Sequence, residues 1–455
     1  AHPLPMASIM PQDSLPQRLD EVVVSGTLRE VSKSLSPVPV QVLHHTFFKR
    51  NPVPNVFEAL QAVNGVRPQL NCSVCNTGDI HINGLEGPYT MVLVDGMPNV
   101  SGLSTVYGLM GIPQSLIQRV EVVKGPSSTL YGSEAIGGII NVITKTPGEE
   151  SSFQTDLQSS AWGEHNTSLG WNWRLKRNRS QSGGNLSTGT TFLPPVSLMG
   201  LTGLDFFYYG IPVDHNGDGF TDLTLQNRFS LFQKVRWQAP TLNGRMAVGQ
   251  AAVRLFVEDR WGGQVHWTPS FRVSDSIYGE SIQTKRMEAF GSQTVPIERG
   301  YRFMEWSVNQ HTQDSYYGTT PFIALQRIAF LQQRWFRQQG LHEWHAGMVL
   351  RANSYDDNTP ATRDSLGQSL PDRYILPGLF LQDECRLSPS FLALYGLRAE
   401  HHKRHGIIWS PRLNLRYASM DQKWIWRSGL GNGFRVANVF TEDHAALTGS
   451  RTVVF

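Results

Sequence analysis

The fold class follows from one stretch of the sequence, residues 228–237, which reads Arg228-Phe229-Ser230-Leu231-Phe232-Gln233-Lys234-Val235-Arg236-Trp237. From Phe229 to Trp237 the odd positions are mostly apolar, whereas the even positions include Ser230, Lys234 and Arg236. Successive side chains of an extended strand point to opposite faces of a sheet. The stretch therefore predicts a β-strand with one apolar face and one polar face.

The same alternation recurs through the last two thirds of the chain. It is strict at residues 168–175 and 412–417. About thirteen segments have strand character: 153–163, 166–176, 181–194, 225–237, 245–258, 282–294, 300–311, 324–336, 341–353, 375–386, 390–400, 409–418 and 423–430. Short turns (176–179, 241–244, 387–390) alternate with long connections (193–224, 259–281, 354–373). A soluble sheet with one wet face would also alternate, but this distribution of turns favours an antiparallel transmembrane β-barrel.

Composition agrees with a membrane β protein and argues against several functional classes. The 455 residues include 12 Trp, 13 Tyr and 22 Phe, and only 17% are charged, which suits a barrel with aromatic girdles. No stretch approaches the roughly 18 consecutive apolar residues of a membrane-spanning helix. The net charge of +3 does not indicate a nucleic-acid partner. We find no catalytic triad, carboxylate pair or phosphate-binding loop, so the sequence does not indicate an enzyme.

The first third of the chain has a different pattern. A polar N-terminal region, residues 1–30, is expected to be flexible. Residues 31–147 combine a helical spacing after Asn55, a candidate N-cap, with strands at 79–83, 91–95, 120–124 and 139–144. This part predicts a small α+β domain, and residues 148–455 are the predicted barrel segment. Residues 1–11 have no charged region or apolar core, so a signal peptide, if the protein is exported, has already been removed.

Four motifs in the α+β domain carry a family resemblance. They are Asp79-Ile80-His81-Ile82-Asn83-Gly84, Val92-Leu93-Val94-Asp95-Gly96-Met97-Pro98, residues 119–126, and residues 130–145 with Leu130-Tyr131-Gly132-Ser133 at their start. In this order they are similar to the plug domains of TonB-dependent outer-membrane receptors. The resemblance spans about 125 residues, and it implies the outer membrane of a Gram-negative bacterium as the location.

The same resemblance implies a mechanism and a larger barrel. The family's barrel has about 22 strands, so about thirteen strands would form only part of one. A TonB box is implied at Asp20, Glu21, Val22, Val23, Val24 and Ser25, whose partner is the periplasmic C-terminal domain of TonB. An open sheet edge in lipid is costly. We therefore expect a second chain or a further C-terminal segment to complete the wall within the outer-membrane lipid, and a surface lipoprotein is a further candidate partner.

The predicted function is active import of a scarce, large nutrient. An iron source, haem or a ferric siderophore, is the leading ligand, and cobalamin is the alternative, so the transported ligand carries iron or cobalt. A porin or adhesin is the competing class, but it needs neither plug nor box. No obligatory cofactor is expected. Ligand contacts are predicted at His81, Tyr89, Arg435 and His444, and a second histidine cluster lies at His401, His402 and His405.

Two further sites are candidates on spacing alone. Asp214, Asn216, Asp218 and Asp222 have the spacing of the first part of a calcium-binding loop, with Gly219 at its turn, but Leu225 stands where a bidentate Glu is usual. An Asx-rich and Gly-rich turn is the alternative. Cys72 and Cys75 are close enough in sequence for a small disulfide loop in an exported protein. A redox motif or a zinc site is less favoured, because no βαβ pattern or further ligands accompany the pair.

Overall fold

The computed structural model describes residues 21–51, 53, 55–72, 77–98, 103, 109, 111–148, 153–175, 197–241 and 243–436. Within these residues, helices are too short or too polar to cross a membrane. The described chain divides into a small α+β domain and one large antiparallel sheet.

The α+β domain is built on a five-stranded sheet with the order β3-β8-β9-β6-β7. Strands β6 and β9 are parallel, and the other neighbours are antiparallel. Two two-stranded sheets, β1-β2 and β4-β5, accompany it. The elements are β1 (Val22–Val23), β2 (Val31–Ser32), β3 (Val40–His44), α1 (His45–Arg50), α2 (Val56–Ala59), β4 (Val66–Cys72), β5 (Thr77–Ile82), β6 (Thr90–Val94), β7 (Met97–Pro98), β8 (Ile117–Lys124), α3 (Ser128–Tyr131) and β9 (Gly138–Thr144).

The sequence signals in this domain have clear structural causes. The Asn55 side chain accepts a hydrogen bond from the Glu58 backbone N–H at 3.0 Å, so the predicted N-cap begins α2. The helical turn then tightens into a 3₁₀ turn, Leu60–Ala62. The central strands β6, β8 and β9 are largely buried, and Leu93, Val120 and Ile140 are fully buried.

Within the described residues, the large sheet has thirteen antiparallel strands in sequence order from β10 to β22. Its strands are β10 (Phe153–Ser159), β11 (His165–Leu175), β12 (Ser197–Tyr209), β13 (Leu225–Pro240), β14 (Met246–Gly263), β15 (Gly279–Ile297), β16 (Gly300–Tyr317), β17 (Thr320–Gln339), β18 (His342–Asp357), β19 (Asp372–Arg386), β20 (Phe391–His402), β21 (Gly406–Ala418) and β22 (Ile425–Gly431). The predicted number of strands and their antiparallel order are confirmed.

One strand lies where the sequence pattern predicted a long connection. Residues 181–194 lie outside the described part of the chain, and the third strand is β12, which we predicted to be part of a long connection. The inward face of β12 buries Leu201, Phe207 and Tyr209 beside Asp205, while Phe206 and Tyr208 are exposed on the other face. Because both faces carry large apolar side chains, the period-two signal disappears there.

Several strands are also longer than predicted. Strand β15 begins at Gly279 and ends at Ile297, whereas the sequence pattern predicted residues 282–294. Backbone pairing continues beyond the stretch in which one face is apolar and the other polar. The alternation of apolar and polar residues therefore predicts only the part of a strand whose outer face is apolar, and the backbone hydrogen bonds between strands continue beyond that part.

The ends of the strands form two rims of the sheet, which differ in the connections they carry. The turn rim comprises the connections 241–245, 298–299, 340–341, 387–390 and 419–424. The loop rim comprises 160–164, 210–224, 264–278, 318–319, 358–371 and 403–405. One face of the sheet contacts the α+β domain and buries charged residues such as Arg254, Arg260 and Arg286. The other face exposes apolar residues such as Ile375 and Leu379, so the sheet is polar inside and apolar outside.

Candidate functional site

The box segment, residues 21–25, is folded onto the plug by a single buried carboxylate. Strand β1 pairs with β2, which reverses the chain. The Oε2 atom of Glu121 accepts hydrogen bonds from the backbone N–H groups of Val24 at 2.9 Å and Ser25 at 2.8 Å. Glu121 lies on β8 and is 0% exposed, and its Oε1 atom accepts from Arg119 Nε at 2.8 Å. The carboxylate therefore satisfies two backbone donors that no strand partner reaches.

Further plug side chains hold the end of the box segment. Asn141 Nδ2 donates to Ser25 Oγ at 2.9 Å, and Tyr131 Oη donates to the Ser25 carbonyl at 3.1 Å. Burial, reinforced by the nearby Glu121 carboxylate, raises the pKa of Tyr131, so its phenol remains a hydrogen-bond donor. Val23 is fully buried. The box segment is thus part of the plug in this conformation, and Asp20 lies outside the described residues.

The first described residue of the box segment makes a charged contact. Glu21 Oε2 lies 2.7 Å from Lys33 Nζ, and Glu21 Oε1 lies 2.8 Å from His44 Nε2. Partial burial acts to raise the pKa of Glu21, but the contacts with Lys33 and His44 outweigh burial and lower it. These two contacts of Glu21 link the start of the box segment to Lys33, which follows β2, and to His44 at the end of β3.

The segment that follows the box is bound to the barrel wall as well as to the plug. Arg416 Nε donates to the Ser34 carbonyl at 2.9 Å, and Arg427 Nε donates to the Ser36 carbonyl at 2.8 Å. Arg334 donates to the Leu28 carbonyl at 3.2 Å. The guanidinium of Arg29 pairs with Glu384 at 3.1 Å, and also with Glu343. The box segment is therefore followed by a stretch with several charge-assisted contacts to strands β17 to β22.

The plug contacts the wall through both apolar and polar side chains, and its core cluster includes the wall residues Phe232, Phe256 and Phe290. Lys234 Nζ lies 3.0 Å from Asp95 Oδ2 and 2.9 Å from Thr144 Oγ1, and both Lys234 and Asp95 side chains are about nine-tenths or more buried. Thr129 Oγ1 donates to the Ser410 carbonyl at 2.8 Å. A cavity of about 220 Å³ remains beside these contacts, lined by residues of the plug and of strands β13 to β17.

The structure brings two of the predicted ligand contacts together. After β22 the chain crosses from the wall to the plug, and the Phe434 carbonyl accepts a hydrogen bond from the Glu134 backbone N–H at 3.0 Å. The guanidinium carbon of Arg435 lies 5.1 Å from the centre of the Tyr89 ring, which is a cation–π contact. Tyr89 and Arg435 are 346 residues apart in the sequence, so no local sequence pattern predicts their contact.

The predicted histidines occupy separate positions. His81 Nε2 pairs with Asp79 Oδ1 at 3.0 Å on β5. His402 and His405 stack at the loop rim with ring centres 4.8 Å apart, whereas His401 is exposed. His444 lies outside the described residues. In the part of the chain that the structure describes, His, Cys, Asp and Glu side chains form no group of three or more that could hold a metal ion.

The predicted calcium loop is a hydrogen-bonded turn at the loop rim. The two Asp214 carboxylate oxygens accept from the backbone N–H groups of Gly217 at 2.7 Å and Gly219 at 2.9 Å. Asn216 accepts from the Asp218 N–H, and Asp222 accepts from the His215 N–H. The oxygen atoms therefore converge on the backbone of the loop, as in the alternative Asx-rich turn. Calcium binding at this loop stays a prediction.

The cysteine prediction lies beyond what the structure describes. The side chain of Cys72 and the whole of Cys75 are outside the described residues, so the predicted disulfide stays a prediction. Cys385 is a buried free thiol on β19, and its Sγ lies 3.9 Å from His342 Nε2.

Sequence comparisons identify the plug and relate the rest of the chain to known receptors. Residues 32–139 match the family model for the TonB-dependent Receptor Plug Domain. The iron-regulated outer membrane virulence protein of Vibrio cholerae is 25% identical over 98% of this chain and 65% of its own length. The ferric enterobactin receptor PirA of Pseudomonas aeruginosa is 22% identical over 94% of this chain and 62% of its length. The chain thus spans somewhat less than two thirds of these relatives.

Solved structures share the fold. A mutant of the ferric enterobactin receptor of Pseudomonas aeruginosa, bound to enterobactin, superposes with a TM-score of 0.65 at 17% identity, covering 88% of this chain and 63% of the receptor. The receptor in the FpvAI–pyocin S2 complex superposes with a TM-score of 0.67 at 12% identity, covering 92% and 58%. The chain thus contains a TonB-dependent receptor plug domain at residues 32–139, and its large sheet shares the fold of these solved receptors.

Proposed function

We propose that the protein imports a ferric siderophore across the outer membrane, and that TonB drives the import by pairing with residues 20–25. The single observation that carries this proposal is the way in which the box segment is held. Its contacts with the plug are one short β-pairing, the buried Val23 side chain, the pairs of Glu21 with Lys33 and His44, and hydrogen bonds to three plug side chains, Glu121, Asn141 and Tyr131. A two-residue strand held by one short pairing and a few polar side chains is suited to release and to addition onto a partner's sheet.

The substrate class is inferred from the relatives and from charge. Two of the relatives are named ferric enterobactin receptors, and one is named an iron-regulated outer membrane protein. Ferric catecholate complexes are strongly anionic and aromatic, and a guanidinium beside an aromatic ring suits such a ligand. We therefore propose Tyr89 and Arg435 as ligand contacts between the plug and the wall. Cobalamin, the alternative substrate, has no comparable support among the named relatives.

Deletion of the box tests the coupling. In cells that make the protein, removal of residues 20–25 should abolish uptake of radioactive iron supplied as ferric enterobactin, while surface binding of the same complex is retained. Deletion of six residues at 10–15 is the matched control and should leave uptake intact. Uptake that survives removal of the box would refute the TonB-coupled importer and favour a passive porin.

Substitution of the ligand contacts tests the substrate. Arg435→Gln and Tyr89→Leu should each weaken binding of ferric enterobactin about tenfold, the size of one cation–π or charge-assisted contact of 1–2 kcal/mol. Arg302→Gln, at an exposed position of β16 near the turn rim, is the matched control. Box-dependent uptake of cyanocobalamin instead of ferric enterobactin would show that the ligand class is wrong while the coupling mechanism is right.

A further inference from the structure

The outer face of the sheet carries an apolar hollow of about 960 Å³, which we call the outer hollow. Its floor is a row of register partners that crosses five strands, in the order Ala289, Val308, Ala329, Ala352, Ile375. The three alanines lie between larger side chains. Val253 and Met287, whose exposed fractions are 47% and 59%, also line the hollow. Three small residues in one row thus create a depression in a wall that is otherwise covered by bulky apolar groups.

Cationic side chains border the outer hollow on the side of the loop rim. The next row in register toward that rim is Met287, Gln310, Arg327, Ser354, Arg373. Ser354 pairs with both Arg327 and Arg373, so the two arginines are two strands apart, about 10 Å from one another. Lys403 also lines the hollow and lies 3.5 Å from Asp372.

The two arginines have unused capacity to bind an anion. Arg327 Nε donates to Gln310 Oε1 at 2.9 Å. Within the described residues, no carboxylate lies at ion-pair distance from Arg327 or Arg373, although both side chains line the hollow. A guanidinium binds phosphate oxygens through paired N–H donors. Two guanidinium groups on the side of the apolar hollow nearest the loop rim complement a phosphate attached to hydrocarbon chains.

We propose that the outer hollow is a binding site for a membrane lipid with a phosphate-bearing headgroup. The acyl chains lie over Ala289, Ala329 and Ala352, and the phosphate is held between Arg327 and Arg373. The rows that follow toward the turn rim are largely apolar, with Leu331 and Leu350 exposed at 47% and 46%, so the chains continue along the wall. This site is independent of the imported ligand, which is bound on the other side of the wall.

Lipid titration tests the proposal on the purified full chain in a nonionic detergent. Native mass spectrometry would count bound dioleoyl phosphatidic acid, with dioleoylglycerol as the lipid that lacks phosphate. We expect one tight phosphatidic acid molecule per chain and weak binding of dioleoylglycerol. The double variant Arg327→Gln/Arg373→Gln should bind phosphatidic acid about thirtyfold more weakly, which corresponds to two cations at about 1 kcal/mol each.

A second variant and a matched control complete the test. Ala329→Trp should fill the hollow and weaken binding while both arginines remain. Arg302→Gln/Arg337→Gln removes two exposed arginines from β16 and β17 near the turn rim, outside the hollow, and should leave binding unchanged. Equal binding by the Arg327/Arg373 variant would overturn the proposal. Displacement of the lipid by millimolar inorganic phosphate would also overturn it, because the site would then be one for a soluble anion.

Discussion

Replacing Glu121 by Gln isolates the contact that holds the box segment. Glu121 accepts two backbone hydrogen bonds, from Val24 and Ser25, and a third from Arg119. Hydrogen bonds to a charged group contribute about 1.5–3 kcal/mol each, and neutral ones about 1 kcal/mol. In Glu121→Gln the amide oxygen can still accept from the box segment, but the amide NH₂ then faces the Arg119 N–H. We therefore expect the free energy of box release to fall by about 2 kcal/mol.

Hydrogen exchange measures this release directly. A fall of about 2 kcal/mol raises the open population roughly thirtyfold, since about 1.4 kcal/mol corresponds to a factor of ten. In the purified protein, amide exchange at Val24 and Ser25 should accelerate by this factor in Glu121→Gln, while β9 remains protected.

Glu58→Gln is the matched control for this measurement. Glu58 is also a largely buried plug glutamate, whose pKa is raised by burial and by the nearby Glu164. Its side chain accepts from Asn55 at 3.1 Å, away from the box segment, so this variant should leave exchange at Ser25 unchanged. Parental exchange rates at Val24 and Ser25 in Glu121→Gln would refute the reasoning. Equal acceleration throughout β8 and β9 would do so as well, because it would indicate general loss of plug stability.

Three further outcomes are expected. The folded-state pKa of Glu21 is lowered, so Glu21 stabilises the box segment above the unfolded carboxyl pKa of about 4.3, and this stabilisation is lost as the pH falls through the lowered pKa. A spin label at residue 22 should therefore become mobile on acidification. Glu21→Gln should remove that pH dependence. Lys234→Met leaves Asp95 without its buried partner and should lower the unfolding free energy of the plug by about 3 kcal/mol, measured by urea titration, whereas Lys285→Met on the outer face should have little effect. Calcium should protect loop 210–224 from proteolysis with an affinity that Asp214→Asn abolishes; equal protection in that variant would exclude calcium at this loop.

How far the sequence could predict the site depended on how local each interaction is. Glu121 appears in the sequence only as one acidic residue in an apolar strand, and its role became visible when the chain reversal between β1 and β2 placed Val24 and Ser25 against β8. Tyr89 and Arg435 were both predicted as ligand contacts, but their pairing requires the crossing of residues 432–436 from the wall to the plug. Contacts between residues far apart in sequence leave no periodic pattern.

The sequence by itself determined a plug and an antiparallel sheet, whose thirteen strands in the described residues match the predicted number, because alternation of apolar and polar residues reflects the two environments of each strand. It failed at β12, where Leu201 and Phe207 face inward and Phe206 faces outward, so that both faces carry large apolar side chains. Only the tertiary structure decided which inward groups meet the plug, how Glu121 holds the box segment, and where three alanines align across the wall. Register between strands sets these arrangements, and register is a property of the assembled sheet.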